Sequence, residues 1–286
     1  LLAAAWRPLP TAQRGWALPT LRIPKLGGAN PIMTIDRQLI ADRFGSAFAS
    51  YDEAATPQQR VVAEMMALLS EKAVTPPQRI LEIGCGTGLF TEQLATRYPQ
   101  AELTLNDLVP KAEHWVGEKL PHRPFAFVTG DAEQWDWGKG YQLIASSSCI
   151  QWWQEPLAFI RKAYNALTPG GTLALSTFLP ENLSELRPIL PNALHYPVQA
   201  EYAAALTPFS DVEQRALTIE LQFSSLLELL RHLKATGTNA FTHTRQGLWS
   251  RGHLLRLEEE LRQAHQLTSE EPLSLTYHPL IIIAQK

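Results

Sequence analysis

The sequence has few cysteines, no long apolar run and little excess charge. Only two of its 286 residues are cysteines, Cys85 and Cys149, and their spacing predicts neither a metal site nor a disulfide framework, so we expect free thiols in a reducing compartment. The longest apolar run near the C-terminus, LIIIA at 280–284, is far too short to span a bilayer. The net charge of −3 gives no general reason to expect a nucleic acid or a membrane as partner. We therefore expect a soluble cytoplasmic protein without a metal ion.

Residues 1–32 lack acidic side chains and the layout of a signal peptide. They carry five prolines, and the first methionine, Met33, stands where ordinary patterning begins. This composition predicts that residues 1–32 are a disordered or non-native extension.

Apolar residues at helical spacing predict an N-terminal helical cap over residues 33–76. In residues 77–286 strands and helices then alternate, which is typical of a parallel sheet with helices on both faces. The predicted strands are 79–84, 102–107, 125–130, 141–147, 172–178, 214–223 and 273–286. The pattern breaks after the fifth strand, and we expect helical lid insertions at about 180–212 and 225–270. The predicted fold is a Rossmann-like, doubly wound α/β domain with a mostly parallel seven-stranded sheet and an antiparallel C-terminal strand.

A glycine-rich turn follows the first predicted strand. Its pattern is E-x-G-x-G-x-G, formed by Glu82, Gly84, Gly86 and Gly88. Dinucleotide-binding loops need their third glycine one position later, at Leu89, and the phosphate loop G-x-x-x-x-G-K-[ST] is absent. A plain tight turn is the structural alternative. The pattern resembles the loop of S-adenosylmethionine-dependent methyltransferases of the Rossmann-like class, and this resemblance implies S-adenosyl-L-methionine as the cofactor.

Further residues fit that cofactor at the strand ends, where folds of this kind bind ligands. The carboxylate of Asp107 can accept both ribose hydroxyls, and Leu108 would pack on the adenine. Asp131 would accept from the adenine amino group, and Ala132 offers a backbone amide. The other predicted contacts are the charge of Glu82 beside the ammonium and sulfonium, the small side chain of Cys85 in the loop, and Gln59 near the methionine carboxylate. A helix cap is the alternative for each lone aspartate, and a solvated side chain is the alternative for the glutamine.

Four longer segments carry a closer resemblance. They are RFGSAFASYDEAATPQQ (43–59), CIQWWQEPLAFIRKAYNALTPGGTLALSTF (149–178), LSELR (183–187) and LTYHPLIIIA (275–284). From about residue 35 to the C-terminus, the sequence resembles the malonyl-[acyl-carrier protein] O-methyltransferase family of biotin synthesis. The opening R-F-x-x-A-x-x-x-Y-D and the Q-W after the fourth strand are the more specific motifs. One departure is Ser146-Ser147-Ser148, where the family commonly has Ser-Asn-Leu.

That resemblance implies methyl transfer to the free carboxylate of a malonyl thioester, an early step in making the pimeloyl moiety of biotin. The residues that it suggests for positioning the acceptor are Tyr51, Trp152, Phe178 and Arg187. Arg245 and Arg251 are further candidates for an arginine that would hold the carboxylate in bidentate fashion. Core packing is the alternative for the aromatic residues, and a surface position is the alternative for Arg187.

Residues 231–256 contain no Asp or Glu. Because a carrier protein is strongly acidic, this run predicts the surface that docks malonyl-acyl-carrier protein. Malonyl-coenzyme A is the alternative thioester, and a solvated lid is the structural alternative. The basic residues of the run are Arg231, Lys234, Arg245, Arg251 and Arg256. We expect the protein to be a monomer.

Three other functions remain open from the sequence. The protein could methylate another small carboxylate or a phenolic acceptor, or it could bind S-adenosylmethionine without catalysis. The third is a dinucleotide-dependent oxidoreductase, which the glycine spacing disfavours.

Overall fold

The computed structural model describes residues 35–286 apart from residues 73, 191–193, 195 and 239–249. The helices of this part are α1 (Arg37–Ala54), α2 (Thr56–Glu71), α3 (Leu89–Arg97), α4 (Ala112–Lys119), α5 (Ala158–Ala166), α6 (Gln199–Ala205), α7 (Leu226–Ala235) and α8 (Arg251–Ala264). The strands are β1 (Arg79–Ile83), β2 (Glu102–Asp107), β3 (Ala126–Thr129), β4 (Tyr141–Ser147), β5 (Leu167–Phe178), β6 (Ser210–Ala216), β7 (Ile219–Phe223), β8 (Leu273–Tyr277) and β9 (Pro279–Gln285). The extension expected at 1–32 lies outside the described residues.

The main sheet has seven strands in the order β3-β2-β1-β4-β5-β9-β6. Strands β1 to β5 run parallel to one another, whereas β9 runs antiparallel to both β5 and β6. The predicted Rossmann-like sheet with an antiparallel C-terminal strand is therefore confirmed. The strand order reverses between β1 and β4, and ligands bind at such a point in open α/β sheets.

Amphipathic helices bury the sheet. Helix α5 turns Phe159, Ile160, Ala163 and Ala166 inward, and they join the same core as the buried side chains of β5 and β9. Helix α2 contacts β5 and β9 with its buried apolar residues, which are Val61, Val62, Met65, Leu68 and Leu69. Because each large apolar side chain stabilises the fold by roughly 1.5–3 kcal/mol when fully buried, these helical faces hold the strand ends in place.

The two last predicted strands each divide into two, which corrects the expectation of single strands over 214–223 and 273–286. Strands β6 and β9 belong to the main sheet, whereas β7 and β8 pair in a separate two-stranded sheet. The antiparallel ladder continues through the bend, where the Leu217 N–H donates to the Pro279 carbonyl at 2.9 Å. The two late segments pair with each other along their length, but the ladder leaves the main sheet halfway along.

A distant segment produces this bend. The His278 N–H donates to Asn182 Oδ1 at 3.1 Å, and the His278 carbonyl accepts from the Leu179 N–H at 2.9 Å. The chain that follows β5 therefore takes the hydrogen bonds that a straight strand would give to its neighbour. The alternation of apolar residues within a strand carries no sign of such a contact.

Helix α1 packs on the end of α7. Ser50 Oγ donates to the Ala235 carbonyl at 3.2 Å. A Cβ at Gly237, whose φ is +68°, would lie 2.8 Å from the Phe44 ring, so glycine permits both the left-handed turn and the close approach. Helices α7 and α8 fall within the predicted insertion at 225–270, and β6 already begins at Ser210 within the insertion expected at 180–212. The boundaries of cap and lids stay predictions.

Candidate active site

A cleft of about 1030 Å³, partly open to solvent, lies at the carboxyl ends of β1, β2 and β4. One face of α1 closes it on the other side with Arg37, Ile40, Phe44, Phe48 and Tyr51. Many of the predicted cofactor residues line this cleft, namely Glu82, Gly84, Cys85, Gly86, Asp107, Leu108, Asp131 and Ala132. The structure thus brings together residues that stand up to 50 positions apart in the sequence.

The three glycines of the loop have three different surroundings. A Cβ at Gly84, whose φ is +72°, would lie 2.3 Å from Cys149 Sγ. A Cβ at Gly86, with φ of +55°, would meet nothing within 4 Å, so the cleft is open there. At Gly88, which does not line the cleft, a Cβ would approach Val116 Cγ2 of α4 to 3.2 Å. Only the first two glycines face the space where a ligand would lie, and the third permits two helices to pack.

Asp107 at the end of β2 holds the glycine loop. Its Oδ2 accepts from the Gly86 N–H at 2.8 Å, and its Oδ1 accepts from the Val109 N–H at 2.8 Å. Burial raises the pKa of this carboxyl, while the backbone amides oppose the rise. Each carboxylate oxygen has a second lone pair, and Asp107 lines the cleft. Its geometry is therefore compatible with the predicted contact to two ribose hydroxyls.

Glu82 is a buried acid with an unused oxygen. Its side chain lies in β1 with 1 % of its surface exposed, and its Oε2 has no hydrogen-bond partner among the described residues. Burial raises the pKa of Glu82 to about 8, and the charge of Asp107 acts in the same direction. A buried carboxyl with a free oxygen is costly unless a cation or a donor completes it. The methionine ammonium expected here is such a cation.

Asp131 contacts a residue that the sequence analysis did not single out. Arg37 at the start of α1 donates from Nε to Asp131 Oδ2 at 3.0 Å and also pairs with Glu133. Its guanidinium further donates to the Trp152 carbonyl. Arg37 thereby fastens α1 to the segments after β3 and β4. It precedes the family-like motif by six positions, so no motif indicated it.

Lys162 of α5 fixes the segment that follows Asp131. Its Nζ donates to the carbonyls of Ala132, Glu133 and Trp135 at 2.8, 2.9 and 2.8 Å. Desolvation lowers the pKa of Lys162. A lysine on an amphipathic helix looks like a solvated residue from the sequence, and only the fold reveals its three carbonyl partners.

The structure places Gln59 outside the cleft. Its side chain is exposed and donates to the Asp52 carbonyl at 2.7 Å. The neighbouring Gln58 lines the cleft instead, is 4 % exposed, and has an Oε1 without a partner among the residues that the structure describes. Gln59 is therefore not among the lining residues of this cleft, and its contact with the methionine carboxylate stays a prediction. Helical periodicity turns these adjacent residues in different directions.

Two of the four predicted acceptor residues line the cleft. Tyr51 and Trp152 do so, and burial raises the pKa of the Tyr51 hydroxyl. Phe178 is not among the lining residues; it packs on Tyr277 at a centroid distance of 6.2 Å. Arg187 is exposed and donates to the Pro180 carbonyl. Phe178 and Arg187 thus lie outside the lining of this cleft, and their roles toward the acceptor stay predictions.

The motif residue Asp52 ties α1 to the glycine loop. Its Oδ1 accepts from Thr87 Oγ1 at 2.6 Å, and its Oδ2 accepts from Lys119 Nζ at 2.6 Å. Phe48, one turn earlier, packs edge to face on Trp115 of α4 at 6.1 Å. Helix α1 is thus held over the cleft at its middle and at its C-terminal end.

Four of the five basic residues predicted for carrier docking lie in the described part of the chain, and all four are exposed. They are Arg231, Lys234, Arg251 and Arg256. Arg245 lies outside the described residues. The nearby acid Glu258 pairs with Arg262 at 3.0 Å and accepts from the Leu226 N–H at 3.0 Å. Its charge is therefore used within the α7–α8 pair.

In the described part of the chain, no group of three or more His, Cys, Asp or Glu side chains could hold a metal ion. Within the same residues, no helix has the length and apolar character needed to cross a membrane. Both cysteines are free, and burial raises the pKa of Cys149 to about 12.

Comparison with solved structures identifies the fold. A candidate methyltransferase from Bacillus halodurans superposes with a TM-score of 0.56 at 14% identity, covering 79% of this chain and 98% of that one. The plantazolicin methyltransferase BpumL, solved in complex with S-adenosylhomocysteine, gives a TM-score of 0.50 at 16% identity, with 87% and 95% covered. These likenesses show a shared methyltransferase fold.

Sequence relatives are more specific. Residues 81–175 match the family described as Methyltransferase domain. The malonyl-[acyl-carrier protein] O-methyltransferase of Porphyromonas gingivalis is 34% identical over 261 residues, which cover 91% of this chain and 100% of that protein. The enzyme of the same name from Haemophilus ducreyi is 36% identical over 257 residues, covering 87% and 97%. This chain therefore belongs to the malonyl-[acyl-carrier protein] O-methyltransferase family of S-adenosylmethionine-dependent methyltransferases.

Proposed function

We propose that the protein transfers the methyl group of S-adenosylmethionine to the free carboxylate of a malonyl group carried as a thioester on acyl-carrier protein. The ester would mask a charge, so that chain-elongating enzymes could accept the product on the way to the pimeloyl moiety of biotin. The observation that carries this proposal is a sequence identity of 34% and 36% to two malonyl-[acyl-carrier protein] O-methyltransferases, over 91% and 87% of this chain. The cleft supports it with a buried acid suited to the cofactor and with space beside it.

The cofactor side of the proposal assigns a role to each group at the strand ends. Glu82 would receive the methionine ammonium, because its buried Oε2 has no partner among the described residues. Asp107 would hold the ribose, and the Asp131–Ala132 segment would meet the adenine. When bound, the cofactor supplies an electrophilic methyl group on a sulfonium. Gly86 leaves open space at the loop for that ligand.

The acceptor side needs alignment more than acid–base chemistry. A malonyl carboxylate is already an anion at neutral pH, so no general base is required. Holding the attacking oxygen, the methyl carbon and the sulfur in line can lower the barrier by about 7–11 kcal/mol. Tyr51 and Trp152 would help to place the acceptor, and the apolar face of α1 would exclude water from the reacting atoms.

The carrier would dock on α7 and α8. The exposed side chains there are Arg231, Lys234, Arg251 and Arg256, and their positive charge would attract an acidic carrier protein. Coenzyme A, with a much smaller anionic arm, would gain less from a surface spread over two helices. We therefore propose that the enzyme prefers the malonyl thioester of the carrier protein to that of coenzyme A. We also propose that the enzyme is a monomer.

Methyl transfer from a labelled donor tests this function. Malonyl-carrier protein, succinyl-carrier protein and acetyl-carrier protein are compared as acceptors, together with malonyl-coenzyme A. We expect label on the malonyl form, less on the succinyl form because its carboxylate lies one methylene further out, and none on the acetyl form, which has no carboxylate. Label transferred equally to unrelated small carboxylates or phenols, or no turnover despite tight cofactor binding, would reject the proposal.

A further inference from the structure

Two hydrogen-bond donors belong to residues that line the cleft and have no partner among the described residues. The indole Nε1 of Trp152 and the hydroxyl Oγ of Ser148 are both shielded from solvent, and neither has a partner among the described residues. Trp152 is 7 % exposed, and both residues line the cleft. A buried donor without a partner costs free energy, so two of them in one cleft indicate a ligand that accepts hydrogen bonds.

The turn that carries these donors is fixed from several sides. Ser148 has a φ of +52°, which is uncommon for a residue other than glycine and marks stored backbone strain. Its N–H donates to Ser176 Oγ at 3.0 Å, and its carbonyl accepts from Gln151 Nε2 at 2.7 Å. The Trp152 N–H donates to the Cys149 carbonyl at 3.0 Å. The backbone of this turn is thus held in a strained form by these hydrogen bonds, and both residues line the cleft.

The charges of the cleft distinguish between possible ligand groups. Three acids line it, Glu82, Asp107 and Asp131, and the only basic residue among its described lining is Arg37. Arg37 is engaged with Asp131, Glu133 and the Trp152 carbonyl. The ammonium of the cofactor has a partner in Glu82. An anionic acceptor entering the same cleft still lacks one, and the two neutral donors match it.

We propose that the Trp152 indole N–H and the Ser148 hydroxyl donate to the carboxylate of the methyl acceptor. This inference rests on the proposed function. As one carboxylate oxygen forms its bond to the methyl carbon, the carbon–sulfur bond breaks and its electron pair stays on sulfur. A carboxylate and a sulfonium become a neutral ester and a neutral thioether, and no proton moves. Opposite charges disappear in this step, so a strong cation beside the carboxylate would favour the reactant over the transition state. Neutral donors orient the oxygens with less of that penalty.

This assignment differs from the arginine expected from the sequence. Arg187 and Arg251 are exposed and do not line the cleft, and Arg245 lies outside the described residues. Trp152 belongs to the family-like Q-W, whereas Ser148 stands where the family commonly has Leu. We therefore expect Trp152 to contribute the larger share and Ser148 a share particular to this chain.

The test uses two variants that keep the shape of the cleft. Trp152→Phe retains an aromatic ring against Phe44, whose edge-to-face contact spans 5.4 Å, and removes the N–H. Ser148→Gly removes the hydroxyl and suits a positive φ. Trp135→Phe is the control for loss of an indole outside the cleft. Methyl transfer to malonyl-carrier protein gives KM and kcat, and calorimetry with S-adenosylhomocysteine gives the affinity for the cofactor product.

We expect Trp152→Phe to raise the KM for the malonyl acceptor roughly 10- to 100-fold, the usual effect of losing a hydrogen bond to a charged group. We expect a smaller rise for Ser148→Gly, with kcat changed about threefold or less in both because the carboxylate loses its charge during the step. Cofactor affinity stays unchanged, and Trp135→Phe behaves like the parent. An unchanged KM in Trp152→Phe overturns the inference, and so does an equal loss of cofactor affinity, which would place the donors on the methionine carboxylate. If the parent methylates no malonyl thioester, the proposed function itself fails.

Discussion

We predict that the ionisation of Glu82 makes cofactor binding depend on pH. The pKa of Glu82 is raised to about 8 by burial, so roughly nine tenths of this carboxyl is protonated at pH 7. The methionine ammonium that we propose for this site would favour the ionised form, so binding would remove the proton. A raised pKa means that the ionised fraction grows with pH, so affinity increases as pH rises towards 8.

The size of the effect follows from the titration of Glu82. The ligand carries the α-amino group of a free amino acid, which stays largely protonated from pH 6 to pH 8. The ionised fraction of Glu82 increases about ninefold from pH 6 to pH 7 and a further five- to sixfold by pH 8. At pH 7 complex formation should therefore release about 0.9 proton per ligand.

Isothermal calorimetry with S-adenosylhomocysteine measures both quantities, because the product carries the same ammonium. Titrations at pH 6, 7 and 8 give Kd, and buffers of different ionisation enthalpy give the proton count. Glu82→Gln is the matched control, since its amide has nearly the same shape and does not titrate. We expect weaker binding in this variant and no increase in affinity between pH 6 and pH 7. A wild-type affinity that is flat over this interval, or a slope that survives in Glu82→Gln, refutes the reasoning.

Stability without ligand provides a second measurement of the same carboxyl. The folded-state pKa of Glu82 is above its ordinary value of 4.5, so folding favours the protonated carboxyl. Its contribution to the free energy of unfolding is complete below pH 4.5 and is lost as pH rises through 8. The pKa difference corresponds to at most roughly 5 kcal/mol of unfolding free energy. The Tm of Glu82→Gln relative to wild type should therefore rise between pH 5 and pH 9. A constant difference would show that the carboxyl titrates normally.

Three further sets of substitutions test the other contacts. Lys162→Met removes three hydrogen bonds to backbone carbonyls, and we expect the KM for S-adenosylmethionine to rise about tenfold with little change in kcat. An unchanged KM would show that the segment after Asp131 keeps its conformation without Lys162. Gly84→Ala should lower the unfolding free energy by roughly 2–4 kcal/mol. Adding Cys149→Ala should restore only the part due to Sγ, because the Cβ of residue 149 would still lie 2.7 Å from the new methyl group, and it should not restore the roughly 1 kcal/mol due to the positive φ. Denaturant titration checks both variants, and a fully stable single variant contradicts the geometry. Reversing Arg231 and Arg256 to Glu should reduce turnover of malonyl-carrier protein about tenfold or more while a small malonyl thioester reacts as before; equal losses on both acceptors would exclude docking at this surface.

The parts of the fold that depend on neighbouring residues could be predicted from the sequence. The alternation of apolar strands and amphipathic helices indicated a seven-stranded sheet, and the motif at 82–88 indicated the ligand edge. The bend at His278 could not be predicted, because its cause is Asn182, 96 positions away. An alternation of apolar and polar side chains indicates that a segment is extended, but it does not indicate which sheet the segment joins.

The candidate site shows the same division. Glu82 and Asp107 were predicted because they stand at fixed offsets within a strand-and-turn pattern, and both line the cleft. Arg37 and Lys162 do not stand at a fixed offset within any motif. Their partners are backbone carbonyls and carboxylates that only the fold brings near, so the sequence around a basic helical residue does not reveal these contacts. The sequence pattern pointed to Gln59, whereas the neighbouring Gln58 lines the cleft, because adjacent residues of a helix point about 100° apart.

The geometry of α1 gives the family-like motif a physical meaning. Its cleft-lining residues Ile40, Phe44, Phe48 and Tyr51 lie three or four positions apart, so they form one helical face, and Asp52 next to them ties the helix to Thr87 of the glycine loop. One carboxylate therefore joins the glycine loop, where we propose the cofactor binds, to the helix that we propose covers the acceptor. In a reaction between an anion and a cation, water that entered between them would stabilise the reactants more than the nearly neutral transition state. A helix that excludes water and is fastened to the cofactor loop thus accounts for the spacing of the motif without requiring any of its residues to exchange a proton.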